Sequence, residues 1–187
     1  LQSENAKVQQ SRIEIQHLAH HDPLTQLPNR FYGEKLFEQL LVDCQHKQQK
    51  LALLFIDLDN FKPVNDVLGH AAGDLLLEQL ALRLNNILQP NQHIIRFGGD
   101  EFLLLAPCSD DDEQVDQLAE TLIQKCAKEF EILQNKVAIS ASIGISCAPT
   151  HGTDFKQLCR RADIAMYQAK KDGRSTYHHY DESLEKA

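Results

Sequence analysis

Two kinds of apolar spacing alternate along the chain. The run Leu51–Ile56, closed by Asp57 and Leu58, has no polar interruption, as expected of a strand buried on both faces. Ile94–Phe97 and Phe102–Ala106 are shorter runs on either side of Gly98-Gly99, which predicts a β-hairpin. Val137–Cys147 predicts a strand rich in small residues, and Thr176–Tyr180 a last one. Between these runs the apolar residues recur at helical spacing. Phe31, Leu36, Leu40 and Leu41 belong to a helix running from an Asn29 cap to about Lys47. Leu75, Leu76, Leu80 and Leu84 mark another from roughly Ala72 to Leu88, preceded by a short helical turn near Val64. Ser109 and the acids Asp110–Glu113 open a helix to about Lys128, the acids complementing its dipole. Thr153 or Asp154 caps Phe155–Lys171, which Gly173 ends.

Residues 1–20 lack Gly and Pro and favour helix. Leu1, Val8 and Ile15 fall seven apart, but of the intervening Glu4, Ser11 and Leu18 only the last is apolar. A solvated connector helix and a dimerising coiled coil are both open readings of this stretch. Pro23 then breaks the helix. Residues 1–20 are therefore assigned to a linker helix and 21–187 to one domain. Helices mixed with strands, and a hairpin in the middle, predict an α/β sandwich with a mixed or largely antiparallel sheet.

The 187 residues are 42% hydrophobic, enough for a core without disulfides or a structural metal. Lys+Arg number 19 and Asp+Glu 27, giving −8, which argues against a non-specific nucleic-acid binder. No apolar run approaches the ~20 residues of a membrane span. Cys44, Cys108, Cys126, Cys147 and Cys159 are odd in number and form no CxxC, so reduced, mostly buried thiols are expected. With no signal peptide, a cytoplasmic location is expected, with any membrane tether lying elsewhere in a longer protein. The chain opens on Leu1, and its only methionine is Met166, so it is expected to be an excised or processed piece of a longer one.

Three polar clusters carry candidate chemistry. In Asp57-Leu58-Asp59-Asn60-Phe61-Lys62, two carboxylates arrive as an apolar strand ends, where an acid can face a cleft and hold a hard cation. Taken alone, the pair reads more readily as a turn cap. In Arg96-Phe97-Gly98-Gly99-Asp100-Glu101-Phe102, two acids follow two glycines, more than a tight turn requires. Asp57 with Asp100 or Glu101 could share one Mg²⁺, and Lys62, Lys170 and Arg174 could contact phosphates; the last two also suit a helix C-terminus. In the third cluster, Asn65–Asp74, an aspartate and a carboxamide match the two N–H donors and neighbouring polar atoms of guanine, although Asp74 also suits a helix N-cap. His20-His21, His70 and His178-His179 lack metal-ligand spacing and are expected to be structural.

In this order, the motifs closely resemble the GGDEF domain of diguanylate cyclases. Phe97-Gly98-Gly99-Asp100-Glu101-Phe102 contains the name motif. Asp22-Pro23-Leu24-Thr25, Leu27-Pro28-Asn29-Arg30, Gly69-His70, Gly73-Asp74, Ser142–Ser146, Ala162–Tyr167 and Ala169–Arg174 extend the match over nearly all of 21–180. The resemblance implies a palm like that of class III nucleotide cyclases, with a central five-stranded mixed or antiparallel sheet flanked by helices. It implies condensation of two GTP into cyclic di-GMP and two pyrophosphates at the interface of a homodimer, with Mg²⁺ or Mn²⁺. By that resemblance Asp57, the Leu58 carbonyl and Asp100 hold the metal, and Glu101 is a further ligand or part of the acid–base apparatus. Asn65 and Asp74 read guanine; Lys62, Lys170, Arg174 and the backbone at Asn60-Phe61 grip the phosphates. An upstream sensory domain is implied, and the tail Thr176–Asp181 resembles the join to a downstream EAL phosphodiesterase domain. A catalytically silent GTP-binding module controlling such a neighbour is the alternative.

The chain departs from the family at three places. Gln89-Pro90-Asn91-Gln92 stands where many relatives carry a product-binding Arg-x-x-Asp, so inhibition through that site is not expected. Gln26 replaces a usual Gly and Ser175 a frequent Asn, both expected to lie away from the chemistry.

Overall fold

A computed structural model describes residues 2–185. Leu1 of the seven-residue spacing and the last two residues of the 21–187 span lie outside the described residues. The elements are α1 (Gln2–His20), α2 (Arg30–His46), β1 (Lys50–Asp59), α3 (Phe61–Leu68), α4 (His70–Asn85), β2 (His93–Gly98), β3 (Glu101–Cys108), α5 (Glu113–Ala127), β4 (Phe130–Ile132), β5 (Asn135–Val137), β6 (Ser140–Ala148), α6 (Phe155–Lys171) and β7 (Tyr177–His179). A 3₁₀ turn, Glu182–Glu185, follows.

Five strands form one sheet in the order β2-β3-β1-β6-β7. All neighbours are antiparallel except β6 and β7, so the sheet is mixed, as expected. β1 is central, and its alternate side chains serve two cores. Ala52, Leu54, Ile56 and Leu58 pack with α3, α4 and α5, while Leu51, Leu53 and Phe55 pack with α2 and α6. This double burial explains the unbroken apolar run. At Gly144 of β6 a Cβ would lie 1.9 Å from the Ala162 carbonyl oxygen, so the missing side chain lets α6 lie directly on the sheet.

Helix signals mapped well where a cap was present. Asn29 Oδ1 accepts the Tyr32 N–H at 2.9 Å, and Asp154 accepts that of Gln157 at 3.1 Å. Several boundaries differ. The turn near Val64 is a full helix, and α4 starts at His70 and ends at Asn85. The predicted strand Val137–Cys147 is two: Val137 closes the small β4–β5 hairpin, and β6 begins at Ser140. That hairpin escaped the apolar pattern because its strands are three residues each and its turn residues, Leu133 and Gln134, adopt positive φ without glycine.

On α1, Val8, Ile13, Ile15 and Leu18 are exposed. All five cysteines are buried and free. Among the described residues no helix is long and apolar enough to cross a membrane.

Candidate active site

The end of β1 delivers two carboxylates to one side. Residues 57 and 59 are two apart on a strand, so both side chains take the face of Leu53 and Phe55, toward α6. From the last turn of α6, Lys170 reaches both: its Nζ lies 3.3 Å from Asp57 Oδ2 and 3.5 Å from Asp59 Oδ1. Asp59 does not cap the following helix. Its carboxylate is buried and accepts the hydroxyls of Ser140 and Ser142.

The β2–β3 hairpin brings two more acids. Asp57 is directly opposite Glu101 in the β1–β3 register, and the Leu58 N–H donates to the Asp100 carbonyl at 3.2 Å. The two distant stretches therefore meet. Burial pushes the Asp57 carboxyl up to about 6; the Asp100 charge adds to the rise and Lys170 opposes it. Burial also raises Glu101, reinforced by Asp57, Asp163 and Asp100 and opposed by Arg30. Carboxylates held against mutual repulsion gain most from a cation, and the Lys170 ammonium supplies one such charge. Among the described residues no three acidic, histidine or cysteine side chains form a ready cage. An open, all-oxygen donor set suits Mg²⁺ or Mn²⁺, which keep waters and take phosphate oxygens as further ligands.

The hairpin turn is held from outside. Arg96 donates to Asp22 Oδ2 at 3.0 Å, and to the Gly99 carbonyl through Nε at 3.1 Å and Nη2 at 2.7 Å. Asp22 in turn accepts the N–H and hydroxyl of Thr25, both at 2.8 Å. The Arg30 guanidinium stacks 3.7 Å from the centre of the Phe97 ring. Sequence gave no sign of the Asp22–Arg96 pair, whose members belong to different motifs.

Beyond β1, Asn60 is left-handed (φ 65°) and makes no side-chain cap, so the first N–H groups of α3, near Phe61, are open to an anion. Lys62 is exposed on that turn. Asn65 projects from α3 over α4: a Cβ on Gly73 would fall 1.7 Å from Asn65 Oδ1. Asp74 is the next residue, exposed and inside α4 rather than at its N-cap. The structure thus brings together Asp57, Asp100, Glu101 and Lys170, and sets Asn65 beside the turn carrying Asp74. Lys62 and Arg174 are exposed and make no ion pair among the described residues. Among the described residues Ser175 makes no contact with the proposed ligands and donates its N–H to Asp59 Oδ2 at 3.2 Å.

Such a sheet, with an acidic hairpin beside the acidic end of its central strand, defines the palm class of nucleotide cyclases. The pattern of the family "Diguanylate cyclase, GGDEF domain" matches residues 19–176, and the chain belongs to that family. It is 40% identical over 171 residues to the bifunctional diguanylate cyclase/cyclic di-GMP phosphodiesterase MucR of Pseudomonas aeruginosa, covering 91% of this chain and 25% of MucR. It is 38% identical over 178 residues to the diguanylate cyclase TpbB of the same species, covering 94% of this chain and 41% of TpbB. A solved structure of the GGDEF domain alone of P. aeruginosa TpbB superposes with a TM-score of 0.84 at 35% identity, covering 89% of this chain and 98% of that one. The chain thus spans about a quarter to two fifths of the length of these curated relatives.

Proposed function

We propose that the chain is one half-site of a diguanylate cyclase, which condenses two GTP into cyclic di-GMP and two pyrophosphates. The observation that carries this reading is the convergence of Asp57 with Asp100 and Glu101, with the ammonium of Lys170 set against Asp57. In this reading residues 21–187 are the catalytic domain and 1–20 a linker helix that pairs copies.

Asp57, the Leu58 carbonyl and Asp100 hold the divalent ion, with Glu101 as a further ligand or in the acid–base apparatus. That ion, when bound, neutralises phosphate charge and stabilises the departing pyrophosphate. Lys62, Lys170, Arg174 and the N–H groups at Asn60-Phe61 grip the triphosphate. Asp74 accepts from the two guanine donors and Asn65 serves the neighbouring polar atoms, which disfavours adenine. The 3′-hydroxyl of the GTP on one protomer attacks the α-phosphate on the other, so pairing supplies the proximity the reaction needs. TpbB, named a diguanylate cyclase, supports this reading.

A second reading is a silent GTP-binding module that regulates a neighbouring domain, such as an EAL phosphodiesterase. It is favoured by relatives named cyclic di-GMP phosphodiesterases, at 33% and 37% identity. Incubation with GTP and Mg²⁺ separates the two. One cyclic di-GMP and two pyrophosphates formed per two GTP consumed support the cyclase; tight GTP binding without product supports the module.

A further inference from the structure

Asp59 is the most deeply buried acid near the site, at 1% exposure, and each of its oxygens has two partners. Oδ1 accepts the Ser142 hydroxyl at 2.9 Å and faces Lys170 Nζ at 3.5 Å. Oδ2 accepts the Ser140 hydroxyl at 2.7 Å and the Ser175 N–H at 3.2 Å. One carboxylate therefore ties the end of β1 to the start of β6 and to the segment after α6. That segment is strained: Arg174 (φ 65°) and Ser175 (φ 50°) are consecutive left-handed residues without glycine's freedom. It also carries the cation Arg174, while Lys170 stands one turn earlier.

We infer that Asp59 is a positioning residue for the phosphate grip, a buried anion that holds Lys170 and the Arg174–Ser175 turn in place without binding metal itself. The inference rests on the proposed phosphate roles of Lys170 and Arg174. Its logic is a division of labour between two acids. Lys170 is shared by Asp57 and Asp59; when Asp57 turns to a cation, Asp59 retains the ammonium at the site while its free donors meet phosphate. The Ser140 and Ser142 hydroxyls keep Asp59 satisfied throughout, as a buried carboxylate requires.

The test compares wild type with Asp59→Asn, alone and in a Lys170→Met/Arg174→Ala background. Amide exchange of residues 174–176 in the nucleotide-free chain reads the anchor. GTP affinity with Ca²⁺ reads the grip without needing turnover. Asp59→Asn is expected to speed exchange at 174–176 and to weaken GTP binding on the order of tenfold, a loss of charge-assisted contacts. In the double-variant background that loss shrinks to less than about threefold, because the groups it positions are gone. If Asp59→Asn fails to fold, Ser142→Ala, which removes one donor from the same carboxylate, is expected to shift both readouts the same way by less. Unchanged exchange at 174–176, an equal loss in both backgrounds, or affinity restored by excess divalent ion would overturn the inference. If wild type itself binds no GTP, the reading of the site fails, and the inference with it, whatever the exchange shows.

Discussion

The ammonium of Lys170 lies 3.3 Å from the carboxylate of Asp57, on the acid that also faces the Asp100 charge. Asp57 is thus a carboxylate kept in a repulsive, partly buried place and only partly relieved by its cation. Such an arrangement costs stability and supplies affinity for added positive charge.

The folded Asp57 titrates at about 6, above its ordinary value of 3.8. The folded state therefore holds this proton more tightly than the unfolded one, and the associated stability, about 3 kcal/mol at most, is present below pH ~4 and lost as pH rises through ~6. Asp57→Asn should flatten that dependence and make the metal-free chain more stable than wild type at pH 8 in urea titrations. Divalent-ion affinity of the wild type should fall as pH drops through ~6, since the proton and the ion compete for one carboxylate. A variant less stable than wild type at pH 8 would contradict this.

Guanine selection should rest on Asp74. Asp74→Ala is expected to weaken GTP binding by about 10–100-fold, the range for lost hydrogen bonds to a charged acceptor, and to narrow the preference for GTP over ATP. Gly73→Ala should act in the same direction by displacing Asn65. Nucleotide titrations read both; equal weakening of GTP and ATP by Asp74→Ala would count against the assignment.

Gly144→Ala should be among the more damaging single-atom additions. The added Cβ meets backbone, the Ala162 carbonyl at 1.9 Å and the Met166 nitrogen at 2.3 Å, so α6 must move. A loss of about 1–3 kcal/mol in urea unfolding is expected. Because α6 carries Lys170, GTP affinity should fall with it.

Product should not inhibit through residues 89–92. Gln92 Oε1 is occupied by the Gln89 N–H at 3.0 Å, and neither residue is charged. Adding cyclic di-GMP to a working assay should leave the rate unchanged. Strong inhibition that disappears on changing Gln89 or Gln92 would refute this.

Much of the architecture was legible because local signals and burial agree. The run Leu51–Ile56 reads as a central strand since each residue in it is packed on one of two cores, and Asn29 and Asp154 announce helix starts by the bonds they then make. The acids of the site were legible as clusters next to apolar runs. What holds them was not. The pairing of Asp22 with Arg96, and of Asp59 with Ser140, Ser142 and Ser175, joins residues far apart in the chain, and no periodicity encodes it. The positive φ of Gln26 and Ser175 (63° and 50°) gives a physical reason for glycine and asparagine to be favoured there.

Turnover should require two copies of this chain to meet over their bound nucleotides. The most direct test of this requirement is the initial rate of cyclic di-GMP formation at saturating GTP and Mg²⁺ across a dilution series of the protein. At concentrations where copies are mostly separate, the rate should rise with the square of protein concentration. A rate strictly proportional to protein in that regime, or no product from well-folded, GTP-bound chain at any concentration, would contradict it.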